Sequence, residues 1–301
     1  MIQNKGEDKM EVNTQTIIAT EKFDPHWKEN LSEVDYHSNK GFVGSTSLRK
    51  ILSSPKAFYW DFFKGNTEES TDDMKIGTLL HSAVLEGTKF LDKYVLMPDF
   101  GDFRSPKNRE KRDAWKNDLP AGTMVVKQDE LEMIKGVVGS VLEHEYASSL
   151  LKNGKPEISG FYADEETGIK LKVRPDFLSF DGTKLIDFKS TRSADWRKYG
   201  GSVYDYRYDF QMFMYSEGIK FISGKKPEMH VHIAVEKKPP YECAVYYFLD
   251  EDLGQAHSDY RMSLDKLKHC ITENKWQQRQ VEAERVYVPN WFILNSTEGL
   301  T

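Results

Sequence analysis

Hydrophobic and polar residues alternate strictly between residues 169 and 176 of the chain. A period of two is typical of a β-strand that has one apolar and one polar face. The pattern therefore predicts a strand over these residues, with its charges on a single face. The charged positions are Lys170, Lys172, Arg174 and Asp176, and the apolar positions are Ile169, Leu171, Val173 and Pro175.

A second strand is predicted at residues 184–189, directly after the turn-forming sequence Phe-Asp-Gly-Thr at residues 180–183. Alternation places Asp187 and Lys189 on one face of this strand and Ile186 and Phe188 on the other. Strands of an antiparallel hairpin lie about 5 Å apart. We therefore expect Asp176 and Asp187 to approach each other at the open end of the hairpin, with Lys189 beside them.

The rest of the chain shows helical and strand patterns on both sides of this hairpin. Residues 1 to about 25 lack a clear period and are expected to form a mobile or loosely attached arm. Aromatic residues at 286–292 are expected to pack back on the body. The predicted helices cover residues 48–52, 56–63, 76–87, 128–151, 208–218 and 250–285, and the further strands cover 155–162, 229–236 and 241–249.

Composition limits the kind of protein this can be. The 301 residues include 39% hydrophobic and 30% charged positions, which is ordinary for a globular protein of one large or two small domains. We find neither a signal-peptide pattern nor a run of about 18 apolar residues, so a cytoplasmic protein without a membrane span is expected. The net charge of −6 argues against a generally basic nucleic-acid-binding surface. Two cysteines are too few for a four-cysteine zinc or iron–sulfur site.

The hairpin acids indicate metal chemistry. Two carboxylates held close together repel each other unless a cation lies between them, which favours a hard, oxygen-preferring ion such as Mg²⁺. A bound divalent ion polarises a phosphate and acidifies water, and an adjacent ammonium such as Lys189 stabilises developing charge. The set predicts phosphodiester hydrolysis. The alternative is that an Asp-x-Lys pair simply lies on a solvated strand face.

Three further segments carry candidate site residues. Gly77 and His81 lie four apart on one face of a predicted helix, and so do Gln211 and Tyr215. Taken alone, each pair is more often a packing feature than a site. Glu157, near the start of the strand that precedes the hairpin, is either an additional acidic site residue or a solvent-facing one.

Two other clusters have equally ordinary explanations. The basic segment at residues 104–116 is either a phosphate-contacting surface or a solvated helix face, since acidic residues are interspersed in it. His230 and His232 form a pair that can bind metals, but the strand offers no third ligand nearby in sequence. The structural interpretation of this histidine pair is the favoured one.

The motifs together resemble the PD-(D/E)xK nuclease superfamily. Pro175-Asp176 and Asp187-Phe188-Lys189 match its two signature pieces. The histidine at 81 and the Gln-x-x-x-Tyr pair at 211–215 resemble its RecB-type branch, and the nuclease domain of exonuclease VIII (RecE-type) most of all. The resemblance covers residues 40–295. It implies an α/β, restriction-endonuclease-like core with a mixed central sheet of about five strands flanked by helices, plus an N-terminal helical extension. We expect a lead-in at residues 1–40 and a single nuclease domain at 41–301.

The resemblance also implies an activity. It is a Mg²⁺-dependent 5′-to-3′ exodeoxyribonuclease, with Mn²⁺ as a possible substitute, that degrades linear double-stranded DNA and leaves 3′ single strands for a RecT-like annealing recombinase. Such relatives form homo-oligomeric rings around DNA. By this resemblance His81, Asp176, Asp187 and the carbonyl of Phe188 hold the metal and Lys189 positions the attacking water. Gln211 and Tyr215 line the site, and Glu157 is the further acidic residue.

Two alternatives stay open at this point. One is a RecB-like or Cas4-like DNA nuclease of other polarity, although Cas4 proteins usually carry the four-cysteine cluster that this chain lacks. The other is a protein that binds DNA ends without cutting them. A binder has no need to assemble mutually repelling carboxylates, so the acids at 176 and 187 argue against it.

Overall fold

The structure is a computed structural model that describes residues 13–65, 71–87, 90, 92, 94–120 and 123–279. Predictions for residues 1–12, for residues 280–285 and for the aromatic segment at 286–292 lie outside these described residues. The strands of the described part are β1 (His26–Lys28), β2 (Tyr94–Leu96), β3 (Met124–Val126), β4 (Gly154–Pro156), β5 (Ser159–Ala163), β6 (Lys170–Val173), β7 (Phe177–Ser179), β8 (Lys184–Thr191), β9 (Met229–Glu236) and β10 (Cys243–Phe248).

Helices surround these strands. No helix of the described residues is long and apolar enough to cross a lipid bilayer. Within the described ranges, short 3-10 turns cover Thr14–Ile17 and Asp250–Leu253. The α-helices of the described residues are α1 (Glu33–Ser38), α2 (Ser45–Ser53), α3 (Pro55–Phe62), α4 (Asp72–Leu85), α5 (Pro106–Asn117), α6 (Gln128–Glu143), α7 (Glu145–Leu150), α8 (Trp196–Tyr206), α9 (Tyr208–Ser223) and α10 (Gly254–Glu273).

The main sheet has five strands in the order β10-β9-β8-β7-β4. The β8–β9 pair is parallel and the other neighbours are antiparallel, so the sheet is mixed. The predicted five-stranded mixed sheet flanked by helices is therefore confirmed. A three-stranded antiparallel sheet, β1-β5-β6, and a parallel pair, β2-β3, accompany it.

Strand β8 divides the hydrophobic core into two. Leu185 packs in a cluster with apolar residues of α2, α3, α9 and α10, whereas Ile186 and Phe188 pack in a second cluster with α4, α6 and α7. Phe188 is fully buried, which stabilises the fold by about 1.5–3 kcal/mol. The strict alternation of the strand places Asp187 and Lys189 on the same face as Leu185. Their side chains therefore lie between the sheet and α9.

The predicted continuous strand over residues 169–176 is wrong in one respect. Strand β6 ends at Val173 and belongs to the three-stranded sheet, whereas β7 begins at Phe177 and belongs to the main sheet. The predicted strand over residues 169–176 is thus divided between two sheets. Pro175 lies in the break and has no N–H to continue a ladder. The Asp176 carbonyl instead accepts a hydrogen bond from the Glu157 N–H at 3.1 Å.

Residues 13–40 are packed more closely than a loosely attached lead-in would be. Ile17 is fully buried, and β1 pairs with β5. The buried Lys172 ammonium donates a hydrogen bond to the Asn39 carbonyl at 2.8 Å and another to the Tyr36 carbonyl. Strand β6 therefore holds α1 in place.

Helix α10 is shorter than the pattern of residues 250–285 predicted. It ends at Glu273, and the next residue, Asn274, adopts the left-handed conformation with φ 49°. Asparagine tolerates this conformation better than most residues and commonly ends helices. The amide N–H of Asn274 donates to carbonyls of the last helical turn, which completes the cap.

Helix α9 lies unusually close to the small sheet. A Cβ added at Gly218 would lie 2.8 Å from a Val173 methyl carbon and 2.9 Å from a ring carbon of Tyr162. Glycine is the residue that allows this approach. The contact fixes the height of α9 over the sheets and therefore the position of the polar side chains on its first turns.

Candidate metal centre

The two aspartates of the hairpin face each other across β7 and β8. Phe177 pairs with Ile186 in the antiparallel register, and extending that register by one position places Asp176 opposite Asp187. Asp176 Oδ2 accepts a hydrogen bond from the Phe188 N–H at 2.8 Å. The break that Pro175 introduces therefore leaves Asp176 at the end of β7, with its side chain tied to the neighbouring strand.

Helix α4 places His81 beside the Asp176 carboxylate. The helix begins behind Thr71, whose hydroxyl accepts from the Met74 N–H. His81 Nδ1 lies 3.2 Å from Asp176 Oδ2, and its ring packs edge-on against Phe188 with centroids 5.1 Å apart. Burial, together with the nearby Lys189 ammonium, lowers the pKa of His81 to about 4. The imidazole is therefore neutral near pH 7, which is the form that binds a metal.

Glu157 completes a compact group with these two residues. One ligand atom from each of His81, Glu157 and Asp176 lies within 4.8 Å of the other two. Glu157 follows β4 with φ 53°, a left-handed conformation that is uncommon for glutamate. Burial raises the pKa of its carboxyl group, and the Arg174 guanidinium, 2.6 Å away, opposes that rise.

Asp187 lies beside this compact group and not within it. Its side chain is fully buried, and its Oδ2 lies 2.5 Å from Lys189 Nζ. The metal-ligand set that the family resemblance implies consists of His81, Asp176, Asp187 and the carbonyl of Phe188. The structure differs in that Glu157 is the third member of the tight group. The family resemblance implies Glu157 as a further acidic residue of the site, but sequence patterns do not put it in the tight group because its position depends on the unusual backbone after β4.

Lys189 is held by a chain of polar contacts from α9. Its ammonium donates to Gln211 Oε1 at 3.0 Å, and Gln211 Nε2 donates to the Tyr215 hydroxyl at 3.0 Å. The Tyr208 ring lies against the same ammonium, with its centroid 4.5 Å from Nζ. The i, i+4 spacing of Gln211 and Tyr215 thus puts both on the face of α9 that meets β8.

The electrostatics of the site favour an added positive charge. Burial and the neighbouring Asp187 charge raise the pKa of Asp176 well above its usual range. Burial alone would lower the pKa of Lys189, but Asp187 and Asp176 outweigh it and the pKa is raised. Oxygen and neutral imidazole ligands suit a hard divalent cation, which would relieve the repulsion between the carboxylates. The donor set therefore fits such an ion.

Two clusters found in the sequence do not belong to the compact group of His81, Glu157 and Asp176. The basic segment is largely helix α5, where Arg112 pairs with Asp113, and the Arg109 guanidinium donates to the Phe103 carbonyl. His230 is buried on β9 and its Nε2 has no hydrogen-bond partner among the described residues. Neither cluster shows a contact with Asp176 or Glu157, and a phosphate-binding role for the basic segment stays a prediction.

The sequence of this chain matches a known family of protein domains. The sequence model of a family described as a PDDEXK-like domain of unknown function (DUF3799) matches residues 44–286. No curated protein matches the chain.

Among solved structures, a candidate exonuclease from Eubacterium rectale is similar over 91% of this chain and 100% of its own, with a TM-score of 0.58 and 15% identity. At that identity the likeness shows the fold alone. The structure of SSO0001 covers 62% of this chain and 85% of its own at 15% identity, with a TM-score of 0.25. Protein VC1899 from Vibrio cholerae covers 75% of this chain and 56% of its own at 11% identity, with a TM-score of 0.21. Because both TM-scores are low, neither of these two structures bears on the site.

Proposed function

Because the chain belongs to the family of PDDEXK-like domains whose model spans residues 44–286, we propose that it is a metal-dependent nuclease. The observation that carries this proposal is the group formed by His81, Glu157 and Asp176, which lies beside the buried Asp187 and its ion-pair partner Lys189. Nitrogen and carboxylate ligands of this kind hold a divalent ion, and an ammonium at their edge suits the hydrolysis of a phosphate ester.

The residues of the site have different roles in the proposed reaction. His81, Glu157, Asp176 and Asp187 would hold a cation, for which Mg²⁺ is the natural choice and Mn²⁺ a substitute, and the carbonyl of Phe188 would be a further ligand. Such an ion would polarise the phosphate and lower the pKa of a water molecule. Lys189 orients the attacking water and stabilises the charge that develops on the phosphate oxygens.

Gln211 and Tyr215 act on Lys189. The amide oxygen of Gln211 accepts from the ammonium, and Tyr215 holds the amide in that orientation. The Lys189 ammonium is fixed by both Gln211 and Asp187. The lysine side chain therefore loses little conformational freedom when the substrate binds. We therefore assign these two side chains to lining the site and positioning the lysine.

The finer part of the proposal concerns substrate and setting. We propose that the enzyme degrades linear double-stranded DNA from its 5′ ends, leaving 3′ single strands for a RecT-like annealing recombinase in the cytoplasm of a bacterium or of a phage-infected cell. We further propose a homo-oligomeric ring around the DNA. The likeness of residues 77–81, 175–189 and 211–215 to RecE-type motifs supports these statements. A ring also suits a chain whose net charge is −6, because enclosure replaces electrostatic attraction in keeping the enzyme on DNA.

The test uses linear duplex DNA labelled at either its 5′ or its 3′ ends, together with a covalently closed circle. With Mg²⁺ we expect progressive loss from the linear duplex, with early release of the 5′ label, and an intact circle. EDTA and the variants Asp176→Asn and Lys189→Met should abolish cleavage. Glu143→Gln, which removes an exposed carboxylate from the end of α6, is the matched control and should cut normally.

Each failure has a distinct meaning. Cleavage of the closed circle contradicts the exonuclease proposal, and early release of the 3′ label contradicts the polarity. Undiminished cleavage by Asp176→Asn contradicts the assignment of the site. Binding of DNA ends without cleavage in any divalent metal would favour the alternative of a non-cutting end-binding protein.

A further inference from the structure

A buried histidine lies beside the Asp187 carboxylate on the strand that runs parallel to β8. His232 on β9 is the register partner of Asp187, and both side chains are fully buried. His232 Nε2 lies 4.0 Å from Asp187 Oδ2. Neither Nε2 nor either carboxylate oxygen has a hydrogen-bond partner among the described residues, although Lys189 forms an ion pair with Oδ2. Unpartnered polar atoms are costly in a protein interior, so this arrangement calls for an explanation.

Tyr199 determines which nitrogen of the imidazole bears the hydrogen. Its hydroxyl oxygen lies 2.8 Å from His232 Nδ1. If Nδ1 carried the hydrogen, the tyrosine hydroxyl hydrogen would have no acceptor among the described residues, and the lone pair of Nε2 would face the carboxylate. If Tyr199 donates to Nδ1, both problems disappear and Nε2–H points toward Asp187. The second arrangement is therefore strongly preferred.

Aromatic rings hold this histidine in place. The Phe248 ring packs edge-on against His232 with centroids 4.7 Å apart, and Tyr208 does the same at 5.6 Å. Tyr199 in turn stacks on Tyr246 with centroids 4.9 Å apart and planes inclined by 15°. The imidazole thus presents a fixed dipole to the site.

We propose that His232 is a positioning residue, which directs its Nε2–H at the Asp187 carboxylate, and that Tyr199 sets the tautomer that makes this possible. The role assigned to Asp187 rests on the proposed nuclease function. At 4.0 Å the contact is a charge–dipole attraction and not a hydrogen bond. The His232 Nε2–H and the Lys189 ammonium both lie against Oδ2 of Asp187. They restrain rotation of the carboxylate and therefore fix the direction of its other oxygen, Oδ1. Partners of this kind, which orient the ligands of a metal, typically matter by about 10–100-fold in metal affinity or activity.

The first test reads the tautomer directly in the metal-free protein. Nitrogen-15 NMR of the imidazole signals distinguishes a ring hydrogen on Nε2 from one on Nδ1. We expect the Nε2–H form in the native protein and a mixture of forms in Tyr199→Phe. Tyr247→Phe, which removes an exposed tyrosine hydroxyl on β10, is the matched control and should leave the signal of His232 unchanged. An Nδ1–H tautomer in the native protein would overturn the proposal.

The second test measures Mn²⁺ affinity by calorimetry and the steady-state kinetics of DNA cleavage. His232→Leu should weaken Mn²⁺ binding or lower kcat by about 10–100-fold, with KM for DNA within about twofold of native. His232→Gln should recover most of the loss, because its amide N–H can donate from nearly the same place. Equal effects of Leu and Gln, or no effect of either, would overturn the positioning role.

The two proposals fail in different ways. A native protein that binds Mn²⁺ but cuts no DNA refutes the nuclease function, whereas the NMR and calorimetric readouts still decide the role of His232. Thermal unfolding of each variant is measured alongside. If His232→Leu does not fold, Tyr199→Phe replaces it: a native tautomer and native Mn²⁺ affinity in that variant would overturn the proposal.

Discussion

The Arg174 guanidinium lies 2.6 Å from a carboxylate oxygen of Glu157. The same side chain donates to the carbonyl of Leu31 at 3.1 Å and to that of Ser32 at 3.4 Å, and it stacks on the Tyr36 ring. One arginine thus connects the segment before α1 with an acid of the candidate metal group. The segment of residues 31–36 is therefore coupled to the site, although none of its residues belongs to the compact group of His81, Glu157 and Asp176.

Removal of this arginine should weaken the fold. Arg174→Met leaves two backbone carbonyls and a largely buried carboxylate without their partner, and each such loss costs about 1–3 kcal/mol when the group is buried. We expect the free energy of unfolding in urea to fall by about 1–3 kcal/mol after allowance for the partial exposure of Glu157. Arg104→Met, which breaks an ion pair on an exposed loop, is the control and should unfold at the native urea concentration. Equal stability of the two variants would contradict the coupling.

Divalent ions should stabilise the native protein. A ligand that binds only the folded state stabilises it by about 2.7 kcal/mol when present at 100 times its Kd. We expect Mg²⁺ or Mn²⁺ to raise the Tm, EDTA to reverse the effect, and Glu157→Gln to lose most of it. The control Glu143→Gln should respond as native. A full metal response in Glu157→Gln would show that the ion binds elsewhere.

Lys172 should make stability depend on alkaline pH. Burial lowers its pKa to about 8, from an ordinary value near 10.5. Between these values the unfolded chain binds the proton more tightly, so this residue's contribution to stability rises with pH, and below the folded pKa the penalty is constant. The native protein should therefore gain stability relative to Lys172→Met between pH 8 and 10. Urea unfolding at unit pH steps measures the difference, and a constant difference would contradict the lowered pKa.

Gly218 should not tolerate a side chain. Its Cβ position lies 2.8 Å from Val173, so Gly218→Ala must push α9 away from the small sheet. Overpacking of this kind costs about 1–3 kcal/mol. Gly200→Ala, in helix α8 with nothing within 4 Å, provides the comparison and should be neutral or stabilising. Thermal unfolding of both variants decides the point, and cleavage should fall only in Gly218→Ala if the displaced helix carries Gln211 with it.

The hairpin was predictable because its information is local. Alternation along residues 184–189 and the Asp-Gly turn before them are enough to place Asp187 and Lys189 on one face. The break after Val173 was harder to foresee, since an alternating pattern continues through Pro175 although the two halves join different sheets. Proline lacks an N–H, and that signal alone could have suggested the interruption.

Long-range relations explain the remaining differences. Glu157 joins His81 because a left-handed residue turns the chain between β4 and β5, and no periodicity reveals that. The sequence favours a structural interpretation of the histidine pair on β9 because it shows no third ligand nearby, and the acid on β8 is separated from the pair by two helices. Only the parallel register of the two strands shows that His232 lies beside Asp187.

The division of the core by β8 limits which insertions and deletions the protein can tolerate during evolution. Every second residue of the strand is committed to one apolar cluster and the others to the side that carries Asp187 and Lys189. Deletion of a single codon within β8 would exchange the two sets, burying charges against α4 and turning Phe188 toward α9. That single deletion would therefore disrupt both the candidate site and the packing of the core. Insertions and deletions should therefore be tolerated in the surrounding loops but never within this strand.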